Sequence, residues 1–163
     1  MNQSRSSTSR RFFLGATGTA AVAFAAPRDA SAAPLNQVEK ANEKVVNEFC
    51  AAWATRDADK IGSFLAKDAT FRMIETSPPT KGREKIMSGI KEFLVKAKSA
   101  RFEVLRSCVM GNTVLNDRVD HFELEDRKLS FHISGFFLVV DGKIKEWQDY
   151  SWPKVDPKDK PDS

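Results

Sequence analysis

Three ionisable side chains stand out by type and spacing. In the stretch Asn116-Asp117-Arg118-Val119-Asp120-His121-Phe122, an arginine and an aspartate lie two residues apart in a segment that reads as a strand. Side chains in a strand alternate faces, so Arg118 and Asp120 share one side with Asn116 and Phe122. On an outer face the pair is a solvated ion pair of little consequence. On an inner face it is a buried charge, retained at a cost, and chemistry becomes the natural explanation. The last apolar segment, Trp147-Gln148-Asp149-Tyr150, adds Asp149 on the side of Trp147. His132, with its titration range near neutrality, is a possible fourth inward group, whereas His121 falls on the face opposite Asp120. An arginine between two carboxylates can hydrogen-bond both with its fork. Two carboxylates in an apolar pocket repel, so one keeps a proton while the other ionises, which supplies a general acid and a general base. The same spacing also fits an ion-pair network that merely ties strands together.

These side chains need elements to hold them. From Val38 to Thr55 the apolar positions Val45, Val46, Phe49, Cys50 and Trp53 recur at helical spacing. A second short helix follows, capped by Asp57, with Ile61, Phe64 and Leu65 on its buried side. Asp68 to Ile74 reads as a strand that runs into the turn-rich segment from Thr76 to Gly82, and Gly82 to Ala97 is helical again. The period then changes to two. Phe102–Met110, Thr113–Phe122, Leu129–Val140 and Lys143–Trp152 form four successive strands, the last two joined by Asp141-Gly142, a strong hairpin signal. In the last of them, strict alternation puts Lys143, Lys145, Trp147, Asp149 and Ser151 on one face. Three helices followed by an antiparallel meander predict an α+β domain with helices packed on a strongly curved, mostly antiparallel sheet. The inner face of such a cone lines a pocket.

The chain of 163 residues has one domain's length, with 34–152 as its folded part and 153–163 as a disordered polar tail. Residues 1–33 read as a cleavable export signal. Arg10-Arg11-Phe12-Phe13-Leu14 precedes a short apolar run and the small-residue stretch Ala30-Ser31-Ala32-Ala33, the pattern of the twin-arginine route to the periplasm. Cleavage falls near Ala32, or alternatively after Ala25, and leaves no stable attachment to the membrane. The leader carries four arginines against one aspartate, so only about one unit of the formal +4 stays with the mature chain. Net charge therefore gives no reason to expect a nucleic-acid partner. Twelve phenylalanines against one tyrosine suit an apolar interior better than a surface for stacking bases. Cys50 and Cys108 read as buried free thiols, with a disulfide as the alternative. The two histidines and two cysteines make no metal-site pattern, and no phosphate loop or nucleophile elbow is present.

Arg118-Val119-Asp120, followed by Gly135-Phe136-Phe137, by Asp141-Gly142-Lys143-Ile144 and by Trp147-Gln148-Asp149-Tyr150, resembles the limonene-1,2-epoxide hydrolase family. That family lies within the nuclear-transport-factor-2-like superfamily, together with SnoaL-like polyketide cyclases and ketosteroid isomerases. The resemblance implies that Asp120 is the general acid that protonates an epoxide oxygen. Asp149 is then the base that deprotonates the attacking water, and Arg118 bridges them. It implies direct attack without metal or cofactor, a small apolar substrate, and a homodimer. The candidate pocket positions are Phe71, Met73, Glu75, Phe122, His132 and Trp147. Where the family holds its water with a tyrosine and an asparagine, this chain has Phe71 and Met73, neither of which can hold one. Glu75, Ser134 and His132 are the polar residues that stand nearby to substitute. Two other readings keep the fold: an isomerase or cyclase that moves protons without adding water, and a non-catalytic module that binds a lipophilic ligand.

Overall fold

The first helix owes its start to a reciprocal cap. The Asn36 side chain accepts the Glu39 backbone N–H at 3.0 Å, and the Glu39 carboxylate accepts the Asn36 N–H at 3.0 Å, which satisfies two donors that the first turn leaves orphaned. In this computed structural model, which describes residues 34–152, α1 runs Gln37–Ala52 and tightens into a 3₁₀ turn at Trp53–Thr55. Arg56, in a left-handed conformation at φ 55°, ends it. Asp57 caps α2 (Ala58–Ser63) by accepting the N–H groups of Asp59 and Lys60, as its position predicts. The expectations for the leader and the tail fall on residues outside those described. Among the described residues no helix is long and apolar enough to cross a membrane.

The first strand lies earlier than its sequence suggests. β1 spans Leu65–Arg72, so Leu65 belongs to the sheet and Met73 and Ile74 fall in the bend beyond it. That bend returns as a two-residue strand, β2 (Thr80–Lys81), which pairs antiparallel with β1 once Pro78 and Pro79 are passed. After α3 (Arg83–Lys96) come β3 (Ser99–Met110), β4 (Thr113–Glu123), β5 (Lys128–Val140) and β6 (Lys143–Ser151). The six strands lie in the order β2-β1-β6-β5-β4-β3, and only β1 with β6 is parallel. Asp141 at φ 50° and Gly142 at φ 69° turn the β5–β6 hairpin, the positive-φ pair of the tight turn that matches strand twist.

Strict alternation fails in β6, and the failure matters to the site. Leu138 pairs with Glu146 but Val139 pairs with Ile144, so Lys145 is an extra residue, a bulge. Ile144 is therefore buried while Lys143 is exposed, against the expectation that Lys143 shares a face with Asp149. Downstream of the bulge Trp147 and Asp149 point inward as expected. A second bulge, between Val104 and Arg106, bends β3.

The helices cover the inner face of the curved sheet, and aromatic rings fill the space between. Phe49 of α1 is the hub, edge-on to Trp53, Phe64, Phe137 and Trp147 at centroid separations of 5.0 to 6.4 Å. It is fully buried. Phe49→Ala is expected to destabilise the fold by about 3–5 kcal/mol, the range for a buried aromatic truncated to a cavity, as read by urea unfolding; a shift well under 1 kcal/mol would show that the hub is not structural.

Candidate functional site

β4 presents Val114, Asn116, Arg118 and Asp120 to the interior and leaves the residues between them on the outer face. Arg118 is 0% exposed, and Asp120 and Asp149 are 5% exposed each. The arginine is gripped on two sides. Its Nε donates to Asp120 Oδ1 at 2.7 Å and its Nη2 to Asp120 Oδ2 at 3.1 Å. The same Nη2 lies 2.8 Å from Asp149 Oδ1. The third nitrogen, Nη1, donates to the side-chain oxygen of Asn116 at 3.2 Å, and Asn116 Nδ2 in turn reaches Cys50 Sγ at 3.5 Å. Trp147 Nε1 donates to Asp149 Oδ1 at 2.8 Å. Both donors to Asp149 fall on Oδ1, and among the described residues none reaches Oδ2.

How Arg118 on β4 meets Asp149 on β6, with β5 between them, is a matter of register. Asn116 pairs with Gly135, and Gly135 pairs with Asp149, so the three form one row across the sheet. The guanidinium lies over the glycine of that row. A Cβ at position 135 would stand 2.2 Å from Arg118 Nη1, 2.6 Å from Asn116 Oδ1 and 2.7 Å from Phe137 Cε2. Only a residue without a side chain leaves room for the arginine to cross. Phe102 closes the other side, its ring centroid 4.8 Å from Arg118 Cζ.

The charges do not balance, and the surroundings are apolar. Burial acts to strip the proton from Arg118, but Asp149 and Asp120 outweigh it and hold the guanidinium charged. Burial pushes the Asp120 carboxyl up to about 6, against the pull of Arg118. It also raises Asp149, opposed by Arg118 and by the Trp147 N–H. One cation cannot neutralise two buried anions, so the carboxyls keep a proton to higher pH than a solvated aspartate does. Cys50, at the end of the hydrogen-bond chain, is pushed by burial to about 12 and stays a thiol.

The structure thus brings together Arg118, Asp120 and Asp149, with Trp147 as a fourth member. Phe71 packs flat on Trp147, centroids 3.8 Å apart and planes 27° from parallel. Phe122 stands edge-on to Phe93 at 4.8 Å in the same aromatic lining. Three other expected residues lie elsewhere. Met73 is 63% exposed in the bend after β1, and Glu75 is exposed beyond it. His132 is on the outer face, bonded to Asp117 Oδ1 at 2.5 Å and stacked on Trp152, because alternation along β5 sends Ile133 and Gly135 inward instead. Ser134 is on that outer face too, accepting from Trp152 Nε1 at 3.0 Å. None of the three polar substitutes for a water-holding residue therefore reaches the carboxylates. His121 is on the outer face as expected, between Ser130 and Glu103. Cys108 is exposed rather than buried, and both thiols are free. Among the described residues no three His, Cys, Asp or Glu side chains gather as a metal site. Sequence reasoning missed Gly135 and Asn116 as parts of the site. Asn116 had a signal, its place two residues before Arg118 on one face; Gly135 stood in the motif that carries the resemblance, but only the register gives it a role.

A model of the SnoaL-like domain family matches residues 46–147. Among solved structures, an LEH-like epoxide hydrolase from M. tuberculosis is 21% identical with a TM-score of 0.64, over 69% of this chain and 84% of that one. A protein of ketosteroid-isomerase-like fold from Catenulispora acidiphila is 17% identical with a TM-score of 0.59, over 66% and 84%. A de novo designed protein with a curved β-sheet is 22% identical with a TM-score of 0.53, over 76% and 90%. These likenesses establish the fold.

Two consequences of the geometry are measurable. Gly135→Ala is expected to cost about 1–3 kcal/mol, as overpacking does, because the added methyl overlaps the guanidinium; an unchanged urea midpoint would mean that Arg118 does not cross there. The second follows from Asp120. Its folded-state value of about 6 lies above the ordinary 3.8, so the folded protein binds this proton more tightly than the unfolded chain. The resulting stability is full below about pH 4 and is lost as pH rises through about 6. Urea midpoints are expected to fall across that window, with Asp120→Asn removing this part of the fall; identical profiles for the two proteins would contradict the assignment.

Proposed function

We propose, since the chain belongs to the SnoaL-like domain family, that its Asp-Arg-Asp site hydrolyses an epoxide on a small apolar substrate by one-step acid–base catalysis. The observation that carries this reading is the single guanidinium held between two buried carboxylates. The roles follow from their partners. Asp149 accepts from Trp147 as well as from Arg118, which favours its anion against the burial that raises its carboxyl, and the acid role goes to Asp120. Asp149 also has an oxygen, Oδ2, free of protein donors, from which to take a proton. Asp120 and Asp149 each expose 7–8% of the side chain while Arg118 exposes none, so the carboxyls and not the cation meet a substrate.

In the reaction Asp149 removes a proton from water as the water oxygen bonds to an epoxide carbon. The carbon–oxygen bond of the ring breaks, and Asp120 delivers its proton to the departing oxygen. The proton of the pair has then moved from Asp120 to Asp149 and returns by exchange with solvent. Arg118 holds both carboxyls in place throughout and carries the compensating charge.

A second reading is favoured by one observation. The stacked Phe71 and Trp147 offer no further polar atom to hold a water, since the Trp147 N–H is already spent on Asp149. The same proton pair then serves a substrate that is isomerised without adding water. Oxygen-18 water separates the two. Incubated with terpene and alkyl epoxides, the protein is expected to yield singly labelled diol, with a rate that declines as pH rises through about 6 and Asp120 loses its proton. Asp149→Asn and Asp120→Asn are each expected to lower that rate by about 10²–10⁴-fold, the usual worth of a positioned acid or base. No labelled diol from any epoxide, combined with deuterium exchange into an enone substrate, would replace the hydrolase reading with the isomerase one.

A further inference from the structure

One of the three guanidinium nitrogens of Arg118 pairs with no carboxylate. Nε and Nη2 serve Asp120 and Asp149, whereas Nη1 donates to the carboxamide oxygen of Asn116 at 3.2 Å. Asn116 is buried and held from behind, where its Nδ2 donates to Cys50 Sγ at 3.5 Å. A flipped carboxamide would set Nδ2 against the Nη1 donor, so the guanidinium and the thiol fix one orientation between them. Both acceptors in this relay are neutral. Burial pushes the Cys50 thiol up to about 12, so neither the amide nor the thiol adds a third anion to the site.

The neutral pairing also decides what Asp149 receives. Nη1 stands over Gly135, 2.2 Å from the point that a Cβ there would occupy. The neighbours of Gly135 in its row are Asn116 on one side and Asp149 on the other. The nitrogen thus sits between an amide and a carboxylate and is committed to the amide. Asp149 is left with both of its donors, Arg118 Nη2 and Trp147 Nε1, on Oδ1. Its Oδ2 has no donor, yet the single fully buried side-chain nitrogen or oxygen without a partner among the described residues is Nε1 of Trp53. Oδ2 therefore keeps accessible surface, within the 8% exposure of the Asp149 side chain.

We propose that Asn116, steadied by Cys50, is a positioning residue: it withholds Nη1 from Asp149 and so leaves Oδ2 unpaired as the oxygen that takes a proton. This rests on the reading of Asp149 as the base. Without the carboxamide, the acceptor next in line for Nη1 is Oδ2. A further charge-assisted hydrogen bond then stabilises the Asp149 anion and weakens it as a base. An aspartate at 116 would hold Nη1 as well, but would set a third carboxylate against one cation. The titratable groups that feel Asp149 are Arg118, Asp120 and Cys50, and a neutral change at 116 leaves all three in place.

The test is a titration without substrate. The side-chain carboxyl carbon of Asp149, identified as the carbon-13 signal missing from Asp149→Asn, is followed against pH in the native protein, Asn116→Leu and Cys50→Val. Leucine keeps the branched shape of asparagine and loses its oxygen, and valine fills the place of the thiol without an acceptor. Both variants are expected to move the Asp149 midpoint to lower pH, Asn116→Leu the further. Cys50→Ser, which keeps an acceptor, is expected to move it less than Cys50→Val. With an epoxide that the native protein turns over, Asn116→Leu is expected to lower kcat about 10²-fold at nearly unchanged KM. A midpoint that stays or rises in either variant, or a Cys50→Ser shift as large as that of Cys50→Val, would overturn the inference, since a merely structural role costs stability without moving Asp149 downward. Cys50→Val decides if Asn116→Leu does not fold. A falling midpoint in a protein that turns over no epoxide would leave the positioning of Asp149 standing and remove the hydrolase reading. An unmoved midpoint in a protein that makes labelled diol would do the reverse.

Discussion

The contact on which the rest of this molecule depends is the guanidinium of Arg118 closed between Asp120 and Asp149. Taking a charge out of water costs several kcal/mol even after the protein relaxes, and the loss of one partner from a buried pair typically costs about 3–5 kcal/mol. A fold that keeps such a group must surround it with acceptors at short range, and this one does. Two carboxylates take Nε and Nη2, an asparagine takes Nη1, and aromatic rings cover what remains. Several otherwise unrelated features follow from that demand: a glycine at the centre of β5, an asparagine facing a helix thiol, and a carboxyl that titrates near pH 6. Removing the charge imbalance would remove the reason for all of them.

The fold by itself carries no such demand. A designed protein with a curved sheet shares the architecture at a TM-score of 0.53, and of two natural neighbours of the same shape one is described as an LEH-like epoxide hydrolase and the other by its fold alone. Function in such a scaffold resides in the few polar groups set into its inner face. Here those groups are Asn116, Arg118 and Asp120 on one strand and Asp149 on another. The hydrophobic wall around them consists almost wholly of phenylalanine and tryptophan. Phe71 and Trp147 lie face to face within it. The wall is apolar, and burial against it raises both carboxyls.

Irregularities in the sheet did as much as its regular ladders to place these groups. The bulge at Lys145 reverses the facing of β6 between Ile144 and Trp147, so the start of the strand buries an aliphatic side chain and its end buries Asp149. Without the extra residue, a strand that buries Ile144 would turn Asp149 outward, and Arg118 would face only one carboxylate. The β5–β6 turn at Asp141 and Gly142 sets the pairing from which that bulge is counted.

Much of this was legible in the order of the residues. Period-four spacing in Val45, Val46, Phe49 and Trp53 marks a helix, period-two spacing in Asn116, Arg118 and Asp120 marks one face of a strand, and Asp141-Gly142 marks the hairpin, because these are local rules about neighbours in the chain. Composition and spacing alone were also enough to single out Arg118, Asp120 and Asp149 as the groups with chemical potential. Whether they meet was not a local question. It depended on the register that sets Asn116, Gly135 and Asp149 in one row, on the bulge at Lys145, and on the fact that His132 lies one residue off the inward set of β5. Local spacing says which side chains share a face of their own strand. Only the pairing of distant strands decides which faces point at each other, and so converts two aspartates and an arginine into one site.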